Sequence, residues 1–238
     1  MKIYFVGHAA LLMVFKESKI LIDPVLNWIG SLLLVNNISN INTNIEELTF
    51  NEIEVSKMLN NLDAVLYTNP FIESIEKKSF KIFANKIPIL CQPKDEVFFN
   101  HLGFRCVTSI SEEYEIKSLK ILRPEVATKR FLKFKENMCG FLLKSPGEPS
   151  IYLTGGSILD NRLKKIIKSE EPDMVIFNNL PKNQIKNEKL TQGFMKELQD
   201  EIGNIMMFGM NMESGNHILM SKKDLNINLK DNVCAINF

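Results

Sequence analysis

Short apolar runs rich in β-branched residues alternate along the chain with longer segments whose apolar residues recur every three or four positions. The short runs predict strands and the longer segments predict helices, because side chains repeat with a period of about two in a strand and about 3.6 in a helix. We predict strands at Lys2–Phe5, Leu11–Phe15, Lys19–Ile22, Ala64–Tyr67, Ile87–Cys91, Arg105–Val107, Leu119–Arg123, Cys139–Lys144, Ile151–Leu153, Met174–Phe177 and Asn204–Gly209. We predict helices at Glu52–Asn60, Glu73–Asn85, Lys94–Leu102, Asp160–Ser169 and Thr191–Ile202.

Clusters of turn-forming residues separate two pairs of these strands. The polar Lys16-Glu17-Ser18 lies between two apolar runs, and Ser145–Pro149 concentrates proline, glycine and serine, so each cluster predicts a hairpin. The Asn-rich stretch Asn36–Asn44 predicts a long loop. In the second half of the chain strands and helices alternate, which indicates a mixed α/β fold. No repeat or Gly/Ser-rich linker interrupts residues 1–238, so we expect a single domain.

The overall composition restricts the classes of function. A hydrophobic content of 45% with a formal net charge of +1 excludes a disordered chain. The near-neutral charge also disfavours electrostatic binding to nucleic acid. The stretch Lys129–Lys135 interleaves cations with aromatics, which fits either single-stranded nucleic acid or one exposed face of a strand. The neutral charge balance favours the strand, so nucleic-acid binding is not expected.

No segment has the length and apolarity of a membrane helix, and we expect no membrane span. The most apolar loop candidate, Val25–Val35, is about half as long as a span requires. It either forms an apolar lid or partner patch at the mouth of a cleft or packs onto its own domain. The apolar start of the chain predicts a strand rather than a signal peptide. The four cysteines form no C-x-x-C pair, so we expect buried thiols in a cytoplasmic protein.

Three histidines, His8, His101 and His217, are few for metal chemistry. A two-metal site built mainly on imidazole can scarcely be assembled from them. His101 lies late in the predicted helix Lys94–Leu102, where the helix dipole stabilises a cation. The stretch Leu153–Ser157 follows a predicted strand, and its glycine pair fits either an anion-binding cradle or, as we favour, a tight turn.

Six short segments, taken in order, carry a resemblance to a known superfamily. They read FVGHAALL at 5–12, ILIDP at 20–24, LDAVLYTNP at 62–70, IYLTGG at 151–156, PDMVIFN at 172–178 and NMESGNH at 211–217. Together they resemble the metallo-β-lactamase-fold superfamily, in particular its branch of L-ascorbate-6-phosphate-lactonase-like hydrolases, over nearly the whole chain. The resemblance implies an α/β (α+β) fold, a four-layer αββα sandwich of two mixed sheets packed face to face with helices outside. It also implies a metal site where the strand ends meet.

The metal-binding motif of that superfamily is altered in this sequence. The resemblance implies that active members carry His-x-His-x-Asp-His directly after the threonine that corresponds to Thr68. Here Asn69 and Phe71 replace the two leading histidines. Glu73 stands at the Asp position, and Ser74 stands at the last His position. The four-residue ligand motif of the family is therefore absent.

Further ligand positions differ as well. Gly156 matches the bridging Asp of the family's Gly-Asp pair, and Asn211 matches its last ligand histidine. Another family histidine, expected after the strand that matches Leu119–Arg123, has no counterpart in Pro124–Thr128. A carboxamide is a poor zinc ligand, and without a metal no bound water becomes a nucleophile at neutral pH. We therefore expect a non-catalytic binding or scaffolding module, a pseudoenzyme, with no cofactor.

The residual cleft is the candidate site of such a module. We expect a small molecule or a protein partner to bind there, because carboxamides in a polar cleft still donate and accept hydrogen bonds. A homo-oligomer is compatible with a scaffolding role. The pocket candidates are His8, Asp23, Asn69, Glu73, Ser74, Gly156, Asn211, Glu213 and His217.

An enzymatic alternative uses a smaller, non-standard metal site. His8, Asp23, Glu73 and His217, with Glu213 nearby, offer a mixture of imidazoles and carboxylates that suits one weakly bound Mn, Fe, Mg or Zn ion. Such a site would serve a hydrolase of small phosphorylated or lactone-like substrates. We favour the structural interpretation, in which His8 and Asp23 satisfy backbone groups at strand ends and the glutamates are solvated.

Overall fold

The computed structural model describes residues 1–7, 10–24, 31–36, 44–49, 57, 59–69, 87–124, 140–178, 188–202, 205–209 and 233–235. The strands are β1 (Lys2–Gly7), β2 (Ala10–Val14), β3 (Lys19–Ile22), β4 (Ser31–Asn36), β5 (Asn44–Thr49), β6 (Ala64–Leu66), β7 (Ile89–Cys91), β8 (Val107–Ser109), β9 (Glu113–Ile116), β10 (Leu119–Leu122), β11 (Phe141–Lys144), β12 (Ile151–Leu153), β13 (Met174–Phe177), β14 (Met206–Gly209) and β15 (Val233–Ala235). The helices are α1 (Glu96–His101), α2 (Asn161–Glu170) and α3 (Glu188–Ile202), and a 3-10 turn (Pro93–Asp95) precedes α1. None of the described helices is long and apolar enough to cross a membrane.

The chain divides into two compact units. The first contains Met1–Ile121, Lys144–Pro149 and Phe238, and the second contains Leu122–Leu143 and Ser150–Asn237. The expectation of a single domain over residues 1–238 stays a prediction.

The eight-stranded sheet has the order β5-β4-β1-β2-β3-β6-β7-β8. The strands from β5 to β3 pair antiparallel, whereas β3, β6, β7 and β8 run parallel to one another. In the parallel part Ile22 is paired with Leu66, and Leu66 is paired with Leu90. The residues that follow these three strands therefore lie side by side at one edge of the sheet.

The seven-stranded sheet has the order β15-β14-β13-β12-β11-β10-β9. Strand β11 pairs antiparallel with β12, and β12 to β15 are parallel. Leu153 is paired with Ile176, and Phe177 is paired with Gly209. The carboxyl ends of β12 and β13 are therefore neighbours, which places the residues after Leu153 beside those after Phe177.

A helix covers one face of the eight-stranded sheet. Leu21, Val65 and Ile89 project from β3, β6 and β7 into one apolar cluster with Phe99 of α1. The rings of Phe99 and Tyr67 lie with their centroids 4.7 Å apart. This aromatic contact fixes α1 against the strands that end at the candidate site.

In the second unit α2 and α3 cover one face of the sheet. Val175 and Phe177 of β13 pack in a cluster with Leu163 of α2 and Leu198 of α3. Met174 and Ile176, which point to the opposite face, are also fully buried. Burial on both faces explains why β13 is an uninterrupted apolar run rather than an alternating one.

The ends of α2 follow from local side-chain and backbone chemistry. The Asp160 carboxylate caps the helix, since its Oδ1 accepts the N–H groups of Arg162 at 2.9 Å and Leu163 at 3.2 Å. Glu171 ends the helix in the left-handed conformation, with φ 43°, and its N–H donates to the Ile167 carbonyl. Capping of the first N–H groups typically stabilises a helix by about 1 kcal/mol.

The sequence predicts the buried strands and the helices closely. The predictions of Lys19–Ile22, Ile151–Leu153 and Met174–Phe177 are confirmed to the residue. Both predicted hairpins are confirmed, with the Phe15 N–H donating to the Ser18 carbonyl and the Glu148 N–H donating to the Ser145 carbonyl. The last three predicted helices are confirmed within a few residues, while 73–85 and most of 52–60 lie outside the described residues.

The interpretation of Val25–Val35 as one apolar loop is wrong for its second half. Ser31–Asn36 forms β4, which pairs antiparallel with β1 on one side and with β5 on the other. The backbone of Leu32, Leu33 and Leu34 is therefore part of the sheet and does not form a lid. Residues 25–30, including Trp28, lie outside the described residues.

A substitution at Gly140 tests the packing of the seven-stranded sheet. The Gly140 N–H donates to the Tyr152 hydroxyl over 3.2 Å, and a Cβ added at Gly140 would stand 2.1 Å from the Leu153 carbonyl oxygen. Because that oxygen belongs to the backbone of β12, we expect Gly140→Ala to lower the free energy of unfolding by at least about 2 kcal/mol in urea denaturation.

The matched control is Gly193→Ala in α3, where an added Cβ meets nothing within 4 Å. Alanine is the better helix former, so this variant should gain up to about 1 kcal/mol. Equal effects of the two substitutions would contradict the assigned packing.

A buried lysine between α2 and α3 yields a second prediction. The side chain of Lys164 is 9% exposed, and its ammonium group forms salt bridges with Glu197 and Glu201. The Nζ atom also lies 5.4 Å from the centroid of the Phe194 ring. Lys164→Met keeps the apolar stem but removes the charge, so we expect a loss of about 1 kcal/mol that shrinks in 1 M salt. Lys165→Met, at an exposed position of the same helix, should change little. A loss for Lys164→Met that is unaffected by salt would contradict the electrostatic account.

Candidate functional site

Asp23 and Thr68 join the carboxyl ends of two neighbouring parallel strands, β3 and β6. The Thr68 N–H donates to Asp23 Oδ1 over 2.7 Å, and the Thr68 hydroxyl donates to Asp23 Oδ2 over 2.6 Å. In return the Asp23 N–H donates to the Leu66 carbonyl over 3.0 Å. Asp23 is only 1% exposed, so these short, charge-assisted bonds replace the hydration of its carboxylate.

The backbone at Asp23 makes a sharp turn as the chain leaves β3. Its φ is 43°, in the left-handed region that Asp tolerates better than most side chains. Pro24 follows directly and is also buried. The turn keeps the carboxylate beside Thr68.

Gln92 extends this network to the third parallel strand, β7. Its side-chain Nε2 donates to the Thr68 backbone carbonyl over 3.5 Å. The backbone carbonyl of Gln92 accepts the Asp95 N–H at the 3-10 turn before α1. Gln92 is 1% exposed. Sequence reasoning missed Gln92, although a polar residue directly after a buried strand was an available signal.

Two buried titratable groups lie next to this network. Burial and, to a smaller extent, the Asp23 carboxylate raise the pKa of the Tyr67 hydroxyl. Burial raises the pKa of the Cys91 thiol to about 12, and the nearby Asp95 and Glu96 carboxylates add to the effect. Both groups are therefore neutral at physiological pH, and the neutral Cys91 thiol is a poor nucleophile.

The expectation that the cysteines are buried holds for Cys91 and is wrong for Cys106. Cys91 lies in a strand covered by α1, whereas Cys106 lies exposed in the turn that leads into β8. The side chains of Cys139 and Cys234 lie outside the description.

In the second unit the chain makes a tight turn directly after β12. Gly155 and Gly156 have φ values of 58° and 80°, which favour glycine. The Thr154 N–H donates to the Ile176 carbonyl over 3.0 Å. The Thr154 carbonyl accepts both the N–H and the hydroxyl of Ser157. The residues of this turn, 154–157, are all buried.

Asn178, at the end of β13, holds this turn in place. Its side-chain Oδ1 accepts the Gly155 N–H over 2.9 Å, and its backbone carbonyl oxygen accepts the Gly156 N–H over 3.0 Å. The N–H groups that could have formed an anion cradle are thus occupied by the protein itself. This geometry supports the tight turn over the anion-binding cradle. Sequence reasoning did not single out Asn178, which also follows directly after a buried strand.

Three of the predicted pocket residues are described. Asp23 lies in the Thr68 network, Asn69 lies half-buried directly after Thr68, and Gly156 lies in the turn held by Asn178. His101 ends α1 as predicted, is exposed, and places its Nδ1 2.7 Å from the Val97 carbonyl oxygen. The remaining candidates, His8, Glu73, Ser74, Asn211, Glu213 and His217, lie outside the described residues, as does the basic stretch 129–135.

The described residues do not fit the metal centre that the resemblance implies. At the two described positions that the resemblance assigns to metal ligands, Asn69 offers a carboxamide and Gly156 offers no side chain. Asp23 binds Thr68 through both carboxylate oxygens. Within the part of the chain that the structure describes, no group of three or more His, Cys, Asp or Glu side chains could hold a metal ion.

Comparison with known proteins adds a distant relative. No family model matches the chain. The UPF0173 protein YddR of Bacillus subtilis (strain 168) is 19% identical over 236 residues, which cover 94% of this chain and 91% of that protein.

Solved structures of hydrolases resemble the whole chain. The isothiocyanate hydrolase from Delia radicum gut bacteria has a TM-score of 0.69 at 18% identity, covering 100% of this chain and 97% of its own. A possible metal-dependent hydrolase from Veillonella parvula DSM 2008 has a TM-score of 0.70 at 15% identity, with the same coverage of 100% and 97%. At these identities the likeness shows the fold and not the activity. The predicted metallo-β-lactamase fold is confirmed.

Removing the Thr68 hydroxyl tests the strand-end network. Thr68→Val keeps the shape of the side chain but leaves Asp23 Oδ2 without its 2.6 Å donor, so we expect a loss of about 1.5–3 kcal/mol in the free energy of unfolding. Thr68→Ser keeps the donor and should lose clearly less. If the two variants are equally stable, the hydroxyl bond does not hold β3 and β6 together.

The buried Tyr67 hydroxyl generates a pH-dependent prediction. Among the described residues it has no hydrogen-bond partner, so Tyr67→Phe should be as stable as the wild type or more stable at pH 7. Above about pH 10 tyrosine ionises in the unfolded chain but not at this buried position, so the wild type should lose up to about 1.4 kcal/mol per pH unit relative to Tyr67→Phe.

The control is Tyr114→Phe, at a half-buried position of β9. Between pH 7 and pH 11 the free energies of unfolding of the wild type and Tyr67→Phe should diverge, whereas those of the wild type and Tyr114→Phe should stay parallel. Parallel pH profiles of the wild type and Tyr67→Phe would show that the Tyr67 hydroxyl is not buried as described.

Proposed function

We propose that this chain is a metallo-β-lactamase-fold protein that has lost most of its metal ligands and acts as a non-catalytic binding or scaffolding module. The observation that carries the proposal is that polar groups at the strand ends are hydrogen-bonded to other groups of the protein. In the first unit Asp23 binds Thr68, and in the second unit Asn178 binds Gly155 and Gly156. Polar groups at positions where the family would organise a metal are bound to one another instead.

The state of Asp23 supports this proposal. Its two carboxylate oxygens accept from Thr68 at 2.7 Å and 2.6 Å in a buried environment. These donors replace the hydration of the buried carboxylate, so the burial of Asp23 is offset by the protein itself and requires no metal ion. Asp23 therefore has a role in holding the ends of β3 and β6 together that does not depend on a metal ion.

The backbone at Gly156 supports it independently. With φ 80° the residue occupies a conformation that costs an L-amino acid about 1–2 kcal/mol. A carboxylate at this position would also be buried next to the Thr154–Ser157 turn. The position that matches the family's bridging Asp is thus shaped for glycine, and the loss of the acid agrees with the local backbone.

The ligand of the module follows from the same side chains. We propose that a small molecule or a protein partner binds in the residual cleft, with Asn69 and Asn211 providing hydrogen bonds in place of the metal. We also propose that the protein forms a homo-oligomer and is located in the cytoplasm. Gel filtration of the purified protein tests the oligomeric state.

The second candidate is a metal-dependent hydrolase of small phosphorylated or lactone-like substrates. The observation that favours it is the fold likeness to proteins described as an isothiocyanate hydrolase and a possible metal-dependent hydrolase. In this alternative His8, Asp23, Glu73 and His217 hold one weakly bound Mn, Fe, Mg or Zn ion. Asp23 would then use the remaining lone pairs of its carboxylate oxygens for the metal, while Thr68 holds the carboxylate in place.

Metal analysis of the purified protein separates the two candidates. We expect zinc, manganese and iron after dialysis to lie far below one equivalent per chain in the wild type. The same result is expected for Glu73→Ala, His217→Ala and the control His101→Ala, whose histidine lies exposed at the end of α1.

Near-stoichiometric metal in the wild type would contradict the non-catalytic proposal. If that metal is lost in Glu73→Ala and His217→Ala but kept in His101→Ala, the hydrolase candidate takes its place. Stoichiometric metal that all three variants retain would contradict both candidate sites.

A further inference from the structure

We draw no further inference here: the strongest candidate, the surface patch formed by α1 and the residue that follows it, where Val97 is 63% and Leu102 38% exposed, carries nothing because no part of the described structure shows what covers it.

Discussion

The hydrogen-bonded contact between Asp23 and Thr68 is the constraint on which the candidate site depends. A buried carboxylate is costly unless hydrogen bonds replace its hydration, and here the N–H and the hydroxyl of one residue replace it. The contact fixes the ends of β3 and β6, and Gln92 connects the end of β7 to the same point. The placement of Asn69, the next residue along the chain, follows from this network and requires no metal ion.

The second unit applies the same physical rule with different groups. The turn after β12 contains N–H donors that a buried loop cannot leave unsatisfied. Asn178 supplies one acceptor from its side chain and one from its backbone, for Gly155 and Gly156 respectively. In both units the polar groups at the ends of parallel strands, the usual location of binding sites in such sheets, are satisfied by residues of the neighbouring strand. This arrangement is the physical basis of the proposed loss of catalysis.

The sequence predicts those parts of the fold that burial determines. Strands such as Met174–Phe177 are apolar on both faces, so their bounds are visible in the sequence. Strand β4 was missed because Asn27, Gly30 and Ser31 around an apolar run are typical of a loop, whereas backbone pairing with β1 and β5 decides its structure. The positions of Gln92 and Asn178 after buried strands were visible in the sequence, but the residues that they bind could not be predicted, because each partner depends on the sheet register. The motif order predicted the fold, but the partners of the polar residues came only from the geometry.

The central claim is that the strand ends are ordered without a metal ion, and the dependence of stability on metal tests it most directly. The free energy of unfolding would be measured in urea with a chelator present, and again with excess zinc or manganese. A resident metal held only by the folded state would raise the stability by about 2.7 kcal/mol at a metal concentration one hundred times its Kd. The account predicts superimposable unfolding curves in all conditions. A midpoint that falls with the chelator and rises with zinc or manganese would contradict it.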